Sequence, residues 1–239
     1  MSQRLKAVLF DLDGTLLPMN EDEFVREYFS LLCKRFVPLG YDKDRLIKTF
    51  WAGTKKMTGN DGTRTNEEVF WEVFSKEYGT EKLKDKVLFD DFYLTDFKKI
   101  KAFCRENEWA RKIINFVKEA ELKTILASNP VFPKAGMITR LEFVGLKVED
   151  FDYVSGYETS DYAKPNPKYF SELLSQNGLS ADEVIFFGNN EKEDIEPASA
   201  AGIRSYAIGD CVIRKSPEST LQTFGYDEVE RLIKNALES

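Results

Sequence analysis

Two aspartates, Asp11 and Asp13, follow the first apolar run of the chain and precede Gly14 and Thr15. In an extended segment, side chains two residues apart point to the same side, so both carboxylates face one place. Close carboxylates repel each other unless a cation or a proton lies between them. The pair therefore suggests a Mg²⁺ site, or one ionised and one protonated acid. Ionised, Asp11 could attack phosphorus as a nucleophile, and a protonated Asp13 could donate to the leaving oxygen.

Three later clusters carry further candidate site residues. Ser128 and Asn129 directly follow an apolar run, where a hydroxyl and the backbone N–H groups after it can hold phosphate oxygens. Lys164 precedes a helix that starts with proline, and its ammonium group could neutralise a phosphate or a carboxylate. Residues 188–194 contain two asparagines followed by charged residues, and we interpret Glu191 and Lys192 among these as surface charges. Each cluster taken alone is typical of a turn or a solvated surface charge.

The elements that must position these residues alternate between strands and helices. Apolar runs predict five strands, at residues 6–10, 123–127, 153–155, 184–187 and 204–208. Helical spacing and capping residues predict helices at residues 109–120, 133–143, 167–176, 195–201 and 227–237. This alternation predicts an α/β fold with a parallel sheet, a Rossmann-like core of three layers. Ligands of such sheets bind at the C-terminal ends of the strands, where the polar clusters lie.

Residues 17–105 differ from the rest of the chain. They contain no convincing strand, and their aromatic residues recur at helical spacing. We interpret these aromatic stripes as core rather than as a cofactor pocket, and we predict a helical insert after the first strand. Its candidate residues for substrate recognition are Asn20, Phe24, Lys56, Asn60 and Thr63.

The sequence Asp-Leu-Asp-Gly-Thr-Leu at residues 11–16 resembles the first motif of the haloacid dehalogenase superfamily. The resemblance continues through Ser128, Lys164 and residues 188–194, in the order of the family's motifs and across the whole predicted core. It implies a discontinuous catalytic core, residues 1–16 and 106–239. Residues 17–105 would then form a helical cap domain, inserted between the first and second motifs.

The resemblance also implies an activity, a cofactor and a set of site residues. The implied activity is Mg²⁺-dependent hydrolysis of a small phosphorylated metabolite, similar to that of a phosphoglycolate phosphatase, through an aspartyl-phosphate. The implied catalytic residues are Asp11 and Asp13. The implied substrate-binding residues are Thr15, Ser128, Asn129 and Lys164. The implied metal ligands are Asp11, Asp13, Asn189 and Asp194. Asn189 departs from the family, where an acid is commonest, so weaker metal binding is expected.

The motifs leave several alternatives open. A 2-haloacid dehalogenase would not need Asp13, because a leaving halide requires no acid. A phosphonate hydrolase would need a Schiff-base lysine from the insert, for which Lys55 and Lys56 are the candidates. A sugar phosphomutase uses the same two aspartates. A non-catalytic protein that binds a phosphate ligand would be consistent with Asn189 and Asn190.

Composition narrows the remaining possibilities. The chain has 239 residues and no histidine, which excludes Ser-His-Asp and Cys-His catalysis and most zinc sites. Three scattered cysteines predict a reducing compartment, and a net charge of −7 argues against nucleic acid as a partner. Residues 1–4 show no signal-peptide pattern, and no apolar run is long enough to span a membrane. We therefore expect a cytoplasmic monomer or homodimer that binds a small phosphorylated substrate and no membrane.

Overall fold

A parallel sheet of six strands in the order β3-β2-β1-β4-β5-β6 forms the centre of the computed structural model, which describes residues 5–238. The predicted α/β fold with a parallel sheet is thus confirmed. The sixth strand was not predicted, because Thr223 and Phe224 do not belong to an apolar run of the sequence. The strands are β1 (Ala7–Phe10), β2 (Lys123–Leu126), β3 (Tyr153–Val154), β4 (Val184–Gly188), β5 (Arg204–Ile208) and β6 (Thr223–Phe224).

Helices cover both faces of this sheet. The α-helices are α1 (Glu21–Phe36), α2 (Lys43–Thr58), α3 (Asn66–Tyr78), α4 (Lys86–Leu94), α5 (Glu108–Glu119), α6 (Lys134–Phe143), α7 (Pro167–Asn177), α8 (Glu196–Ala200) and α9 (Val229–Glu238). Short 3₁₀ turns lie at Val37–Leu39, Thr80–Asp85, Asp96–Phe103, Val148–Asp150, Ala181–Glu183 and Tyr226–Glu228, and a π-helical turn lies at Glu191–Ile195.

The alternation of side chains along β1 explains the three layers. Ala7 and Leu9 point to one face, where α7 and α8 pack, and Val8 and Phe10 point to the other, where α5 and α9 pack. All four are fully buried. Because both faces are covered, β1 can be apolar at every position.

Helix α7 shows how the sequence sets the local structure near the site. Asn166 caps its N-terminus by accepting a hydrogen bond from the backbone N–H of Lys168, and Pro167 occupies the first turn. Gly178 ends the helix with a φ of 64°, a left-handed conformation that glycine adopts readily. These residues fix the helix that follows Lys164.

Between β1 and β2 the chain contains only helices and 3₁₀ turns, as predicted, and we call residues 17–105 the helical insert. Its predicted aromatic stripes are buried, and Phe36 and Phe89 stack with ring centroids 3.9 Å apart. The entering and leaving chains lie side by side, since the N–H of Arg105 donates to the carbonyl of Pro18. The exact limits of the insert stay a prediction.

No helix among residues 5–238 is long and apolar enough to cross a membrane. The expectation for residues 1–4 lies outside the described residues.

Asn66 joins the helical insert to the core. This first residue of α3 is fully buried, and its amide nitrogen donates to the carbonyls of Pro130 and Tyr162, which lie in two loops of the core. Its amide oxygen accepts from Asn60 at 2.9 Å, and its backbone N–H donates to the carbonyl of Ser160. Asn66 therefore connects the start of α3 to two loops of the core through buried hydrogen bonds.

We expect Asn66→Ala to lower the free energy of unfolding by about 2 kcal/mol, because it leaves buried carbonyls without a donor. The measurement is the urea unfolding midpoint and slope. Asn177→Ala is the matched control, since the Asn177 amide makes one hydrogen bond at the end of α7, and it should cost less than about 1 kcal/mol. Equal losses in the two variants would contradict a special role for Asn66.

Candidate active site

The C-terminal ends of β1, β2 and β4 meet at one edge of the sheet, because β1 is hydrogen-bonded to both neighbours. The polar clusters that follow these strands therefore come together. Most of the candidate residues line one cavity of about 260 Å³, namely Asp11, Asp13, Ser128, Asn129, Lys164, Asn189 and Asp194. Thr15 is not among the lining residues.

Lys164 lies between two carboxylates at the base of the cavity. Its Nζ is 2.8 Å from Oδ1 of Asp11 and 2.6 Å from Oδ1 of Asp194, and the side chain is only 1% exposed. Burial alone would lower the pKa of Lys164, but the charges of Asp11 and Asp194 outweigh it and raise the pKa above the usual value. Lys164 is thus a permanently charged cation that holds the two acids together.

Asp11 is the most strongly perturbed acid of the site. Burial raises its pKa to about 7, Lys164 opposes the rise, and Asp194 and Asp13 add to it. The Thr15 hydroxyl donates to Oδ2 of Asp11 at 3.0 Å, so each carboxylate oxygen has a protein donor. The position of Asp11 is therefore fixed, while its negative charge is only partly compensated.

Asp194 is held by the backbone that precedes it. Its Oδ2 accepts from the N–H groups of Asn189 and Asn190 at 3.0 and 2.9 Å. The carboxylate packs so closely on Gly188 that a Cβ there would lie 2.7 Å from it. The π-helical turn over Glu191–Ile195 returns Asp194 to this position.

The Asn189 side chain makes hydrogen bonds within the protein. Its Nδ2 donates to the carbonyl of Cys211 at 2.9 Å, which fixes the orientation of the amide. Its Oδ1 lies 3.1 Å from the Thr15 hydroxyl, whose single proton is shared between this oxygen and Oδ2 of Asp11. Gly14 makes room for this amide, since a Cβ on Gly14 would lie 2.2 Å from Nδ2. Thr15 thus links Asp11 to Asn189, and its role in substrate binding stays a prediction, as does metal ligation by Asn189.

Ser128 and Asn129 face the cavity from the end of β2. The carbonyl of Ser128 accepts from the hydroxyls of Ser155 and Tyr169, which fixes the turn. Asn129 donates weakly to Glu193 at 3.4 Å, while its own Oδ1 is buried without a partner. The pair is therefore positioned for a ligand, and phosphate binding by it stays a prediction.

Asp13 is paired with Arg140, a residue that the sequence analysis did not identify. The Arg140 guanidinium on α6 is fully buried, donates to Oδ2 of Asp13, and lies 4.2 Å from the ring centroid of Phe132. Burial raises the pKa of Asp13, and Arg140 opposes this rise. Oδ1 of Asp13 is buried with no hydrogen-bond partner. An arginine within an amphipathic helix gives no local signal of such a contact.

One expectation about the last cluster was wrong. Glu191 was interpreted as a surface charge, but it is 6% exposed and accepts from the backbone N–H of Lys215 and from the Ser219 hydroxyl. It ties the segment after β5 to the π-helical turn beside Asp194. Lys192 is exposed, as expected.

The residues of the insert that were candidates for substrate recognition divide into one that lines the cavity and others that do not. Phe24 lines the cavity. Asn20 caps α1, Asn60 bonds to Asn66, and Thr63 bonds to Asp61, so these three have structural partners outside the cavity. The cavity lining likewise does not include Lys55 or Lys56.

The oxygen donors of the site fit Mg²⁺ better than a metal that needs a cage of protein ligands. No group of three or more acidic, histidine or cysteine side chains forms a ready-made metal cage within residues 5–238. Mg²⁺ needs only one or two carboxylates when waters complete its shell. Asp11, Asp13 and Asp194 place three carboxyl groups beside the two cations Lys164 and Arg140, and a set of oxygen donors of this kind fits Mg²⁺.

We expect Arg140→Met and Asp13→Asn each to lower the free energy of unfolding by about 3 kcal/mol, because each leaves a buried group without its partner. The double variant should cost at least about 1 kcal/mol less than the sum of the single changes. Urea unfolding at pH 7 without added metal measures this coupling.

The exposed pair Arg105 and Asp210 is the matched control. The cycle of Arg105→Met and Asp210→Asn should give a coupling below about 1 kcal/mol. If the losses in free energy of unfolding for the Arg140 and Asp13 variants are additive, their contact contributes no more to stability than the exposed pair does.

Comparison with known proteins agrees with this geometry. The chain is 24% identical over 222 residues to the pyrophosphatase PpaX of Listeria welshimeri, covering 93% of this chain and 90% of that protein. It is 33% identical over 82 residues to a phosphoglycolate phosphatase of Aliivibrio fischeri, covering 32% and 36% of the two chains.

Among solved structures, a HAD phosphatase from Thermococcus onnurineus superposes with a TM-score of 0.60 at 19% identity, over 96% of this chain and 98% of that one. This likeness shows the same fold. The family model for haloacid dehalogenase-like hydrolases matches residues 8–208, which include all four clusters of the site. The chain therefore belongs to the haloacid dehalogenase-like hydrolase family.

Proposed function

We propose that this protein is a Mg²⁺-dependent phosphomonoester hydrolase that acts on a small phosphorylated substrate through an aspartyl-phosphate on Asp11. The observation that carries the proposal is the placement of Asp11. Its carboxylate lies at the end of a central strand, is oriented by Lys164 and Thr15, and faces a cavity that Asp13 also lines.

In the first step, a carboxylate oxygen of Asp11 attacks phosphorus, and the bond between phosphorus and the ester oxygen breaks. The electron pair of that bond goes to the ester oxygen, which takes the proton of Asp13 and leaves as an alcohol. Burial raises the pKa of Asp13 above its usual value, which makes it better able to retain a proton for this step than an exposed aspartate would be. Arg140 holds this carboxyl group through Oδ2, and the unpaired Oδ1 remains for the transferred proton.

In the second step, a water attacks the phosphorus of the aspartyl-phosphate and passes its proton to Asp13. The bond between Asp11 and phosphorus breaks, which restores the Asp11 carboxylate and releases inorganic phosphate. Arg140 favours the ionised form of Asp13 that must accept this proton. The opposing effects of burial and Arg140 thus let one carboxyl group serve as acid and then as base.

The remaining residues hold the phosphoryl group. Ser128, Asn129 and Lys164 line the cavity, and their hydroxyl, amide and ammonium groups would bind the phosphoryl oxygens and offset their charge. Asp11, Asp194 and the backbone carbonyl of Asp13 would hold Mg²⁺, which supplies further positive charge to the transferred group. We propose residues 17–105 as the cap that excludes water, since the cavity is lined by core and insert together.

Two alternatives have less support from the geometry. A dehalogenase has no use for a proton donor, yet Asp13 is held in place by a fully buried arginine. A phosphonate hydrolase needs a lysine amine from the insert near the substrate, and Lys55 and Lys56 do not line the cavity.

We expect the wild-type protein to hydrolyse p-nitrophenyl phosphate with added Mg²⁺, and Asp11→Asn to lower kcat by at least about 10³-fold, because the nucleophile is removed. Chelation with EDTA should abolish turnover, and Mg²⁺ should restore it. Release of p-nitrophenol measures both effects.

Asp182→Asn is the control variant, since Asp182 is exposed and precedes β4, at the opposite edge of the sheet from Asp11. It should retain wild-type turnover. Full activity in Asp11→Asn, or equal turnover with EDTA and with Mg²⁺, would refute the proposed mechanism.

A further inference from the structure

The cavity extends well beyond the phosphate-binding residues and into the helical insert. All four α-helices of the insert contribute aromatic side chains to its wall. We call this part the aromatic chamber, defined by Phe24, Phe29, Phe50, Trp51, Phe70 and Phe89. The expectation that the aromatic stripes are only core was therefore incomplete. Several of these rings pack in the core on one side and border open space on the other.

Most polar atoms near the chamber are hydrogen-bonded to one another. The hydroxyls of Tyr28 and Tyr93 are hydrogen-bonded at 2.7 Å, and the indole N–H of Trp71 donates to the Tyr157 hydroxyl at 3.2 Å. A sugar or a polyol would need several free donors and acceptors to replace its bound water. The described lining offers few of them, so a polar leaving group would lose hydrogen bonds on entering.

The charges of the lining also disfavour a negatively charged leaving group. Among its described residues Lys164 is the only cation, and it is already shared between two aspartates. The acids Glu21, Asp90 and Glu193 also border the cavity. A leaving group that carries its own carboxylate or phosphate would therefore meet negative charge without a second cation to bind it.

One ring of the chamber wall reaches the protein surface. Trp51 on α2 lines the cavity yet is 51% exposed, and its ring centroid is 5.4 Å from that of Phe29 on α1. The wall thus reaches the surface between α1 and α2. A chain longer than the chamber could pass Trp51 without unfolding the insert.

We propose that the leaving group is an uncharged alkyl or aryl group that is bound in the aromatic chamber. The substrates are then monophosphate esters of apolar alcohols or phenols. This inference rests on the proposed hydrolase function for its chemical step, in which the apolar alcohol leaves with the proton of Asp13. The chamber itself supplies the free energy of binding through apolar contact.

The test is a series of straight-chain alkyl phosphates with two, four, six and eight carbons, assayed by phosphate release with Mg²⁺. We expect kcat/KM to rise about threefold to fourfold for each added methylene until the chamber is filled. Phenyl phosphate should exceed 4-carboxyphenyl phosphate at least tenfold, because the added carboxylate meets Glu21, Asp90 and Glu193. The inference would be overturned if kcat/KM did not depend on the length of the alkyl chain. It would also be overturned if phosphoglycolate or pyrophosphate were preferred to octyl phosphate.

A binding series separates the chamber from the chemistry. Alkylphosphonates of the same lengths are not hydrolysed, and calorimetry should show that their affinity for the Mg²⁺-loaded protein also increases with chain length. If no phosphate ester is hydrolysed but this increase is found, the proposed function fails and the apolar site stands. If p-nitrophenyl phosphate is hydrolysed and affinity does not depend on chain length, the function stands and the inference fails.

Trp51→Ala tests the position of the chamber. It should lower the ratio of kcat/KM for octyl and ethyl phosphate at least threefold, because it removes the ring at the open end. Leu39→Ala is the control, since Leu39 belongs to the insert, is 49% exposed and does not line the cavity. A ratio that is unchanged in Trp51→Ala, or lowered equally in both variants, would contradict the assigned position.

Discussion

The ammonium group of Lys164, buried between Asp11 and Asp194, is the interaction on which the rest of the site depends. Two carboxylates in a dry cavity repel each other, and a single cation placed between them makes their proximity tolerable. Lys164 also joins three parts of the chain, the ends of β1 and β4 and the loop before α7. The backbone N–H groups of Asn189 and Asn190 and the Thr15 hydroxyl then fix the outer oxygens of the two acids. The geometry of Asp11, the proposed nucleophile, is thus set by the folded chain itself.

The sequence was sufficient to predict five of the six strands and most of the residues that gather at the edge of the sheet. This was possible because Asp11, Ser128 and Asn189 each follow an apolar run, and the parallel topology places the ends of those strands together. Arg140, Asn66 and Glu191 could not be found in this way. Their partners lie 127, 64 to 96, and 24 to 28 residues away, and no local pattern records such contacts. Buried polar residues of this kind are visible only once the tertiary fold is known.

Asn189 shows how a departure from a family pattern can have a local physical reason. Its amide nitrogen donates to the carbonyl of Cys211, which an aspartate could not do. The same side chain still offers an oxygen to Thr15. The amide therefore fastens the segment after β5 to the strand ends, and Glu191 fastens it a second time through Ser219. A carboxylate at this position would add negative charge to a site that already has an excess of it.

The chain enters and leaves the helical insert at neighbouring points, where Met19 pairs with Cys104 and Arg105 bonds to Pro18. A segment attached in this way can change its own sequence, length or packing without altering the register of the sheet. Selection for new substrates could thus act on the aromatic walls while the phosphate chemistry stays intact. Such freedom is limited where buried contacts join the insert to the core; besides the Thr139 hydroxyl, which donates to the carbonyl of Tyr93, the clearest is Asn66, which must keep its partners in two loops of the core. Evolutionary change in the insert is expected to be fast along its inner surface and slow at this residue.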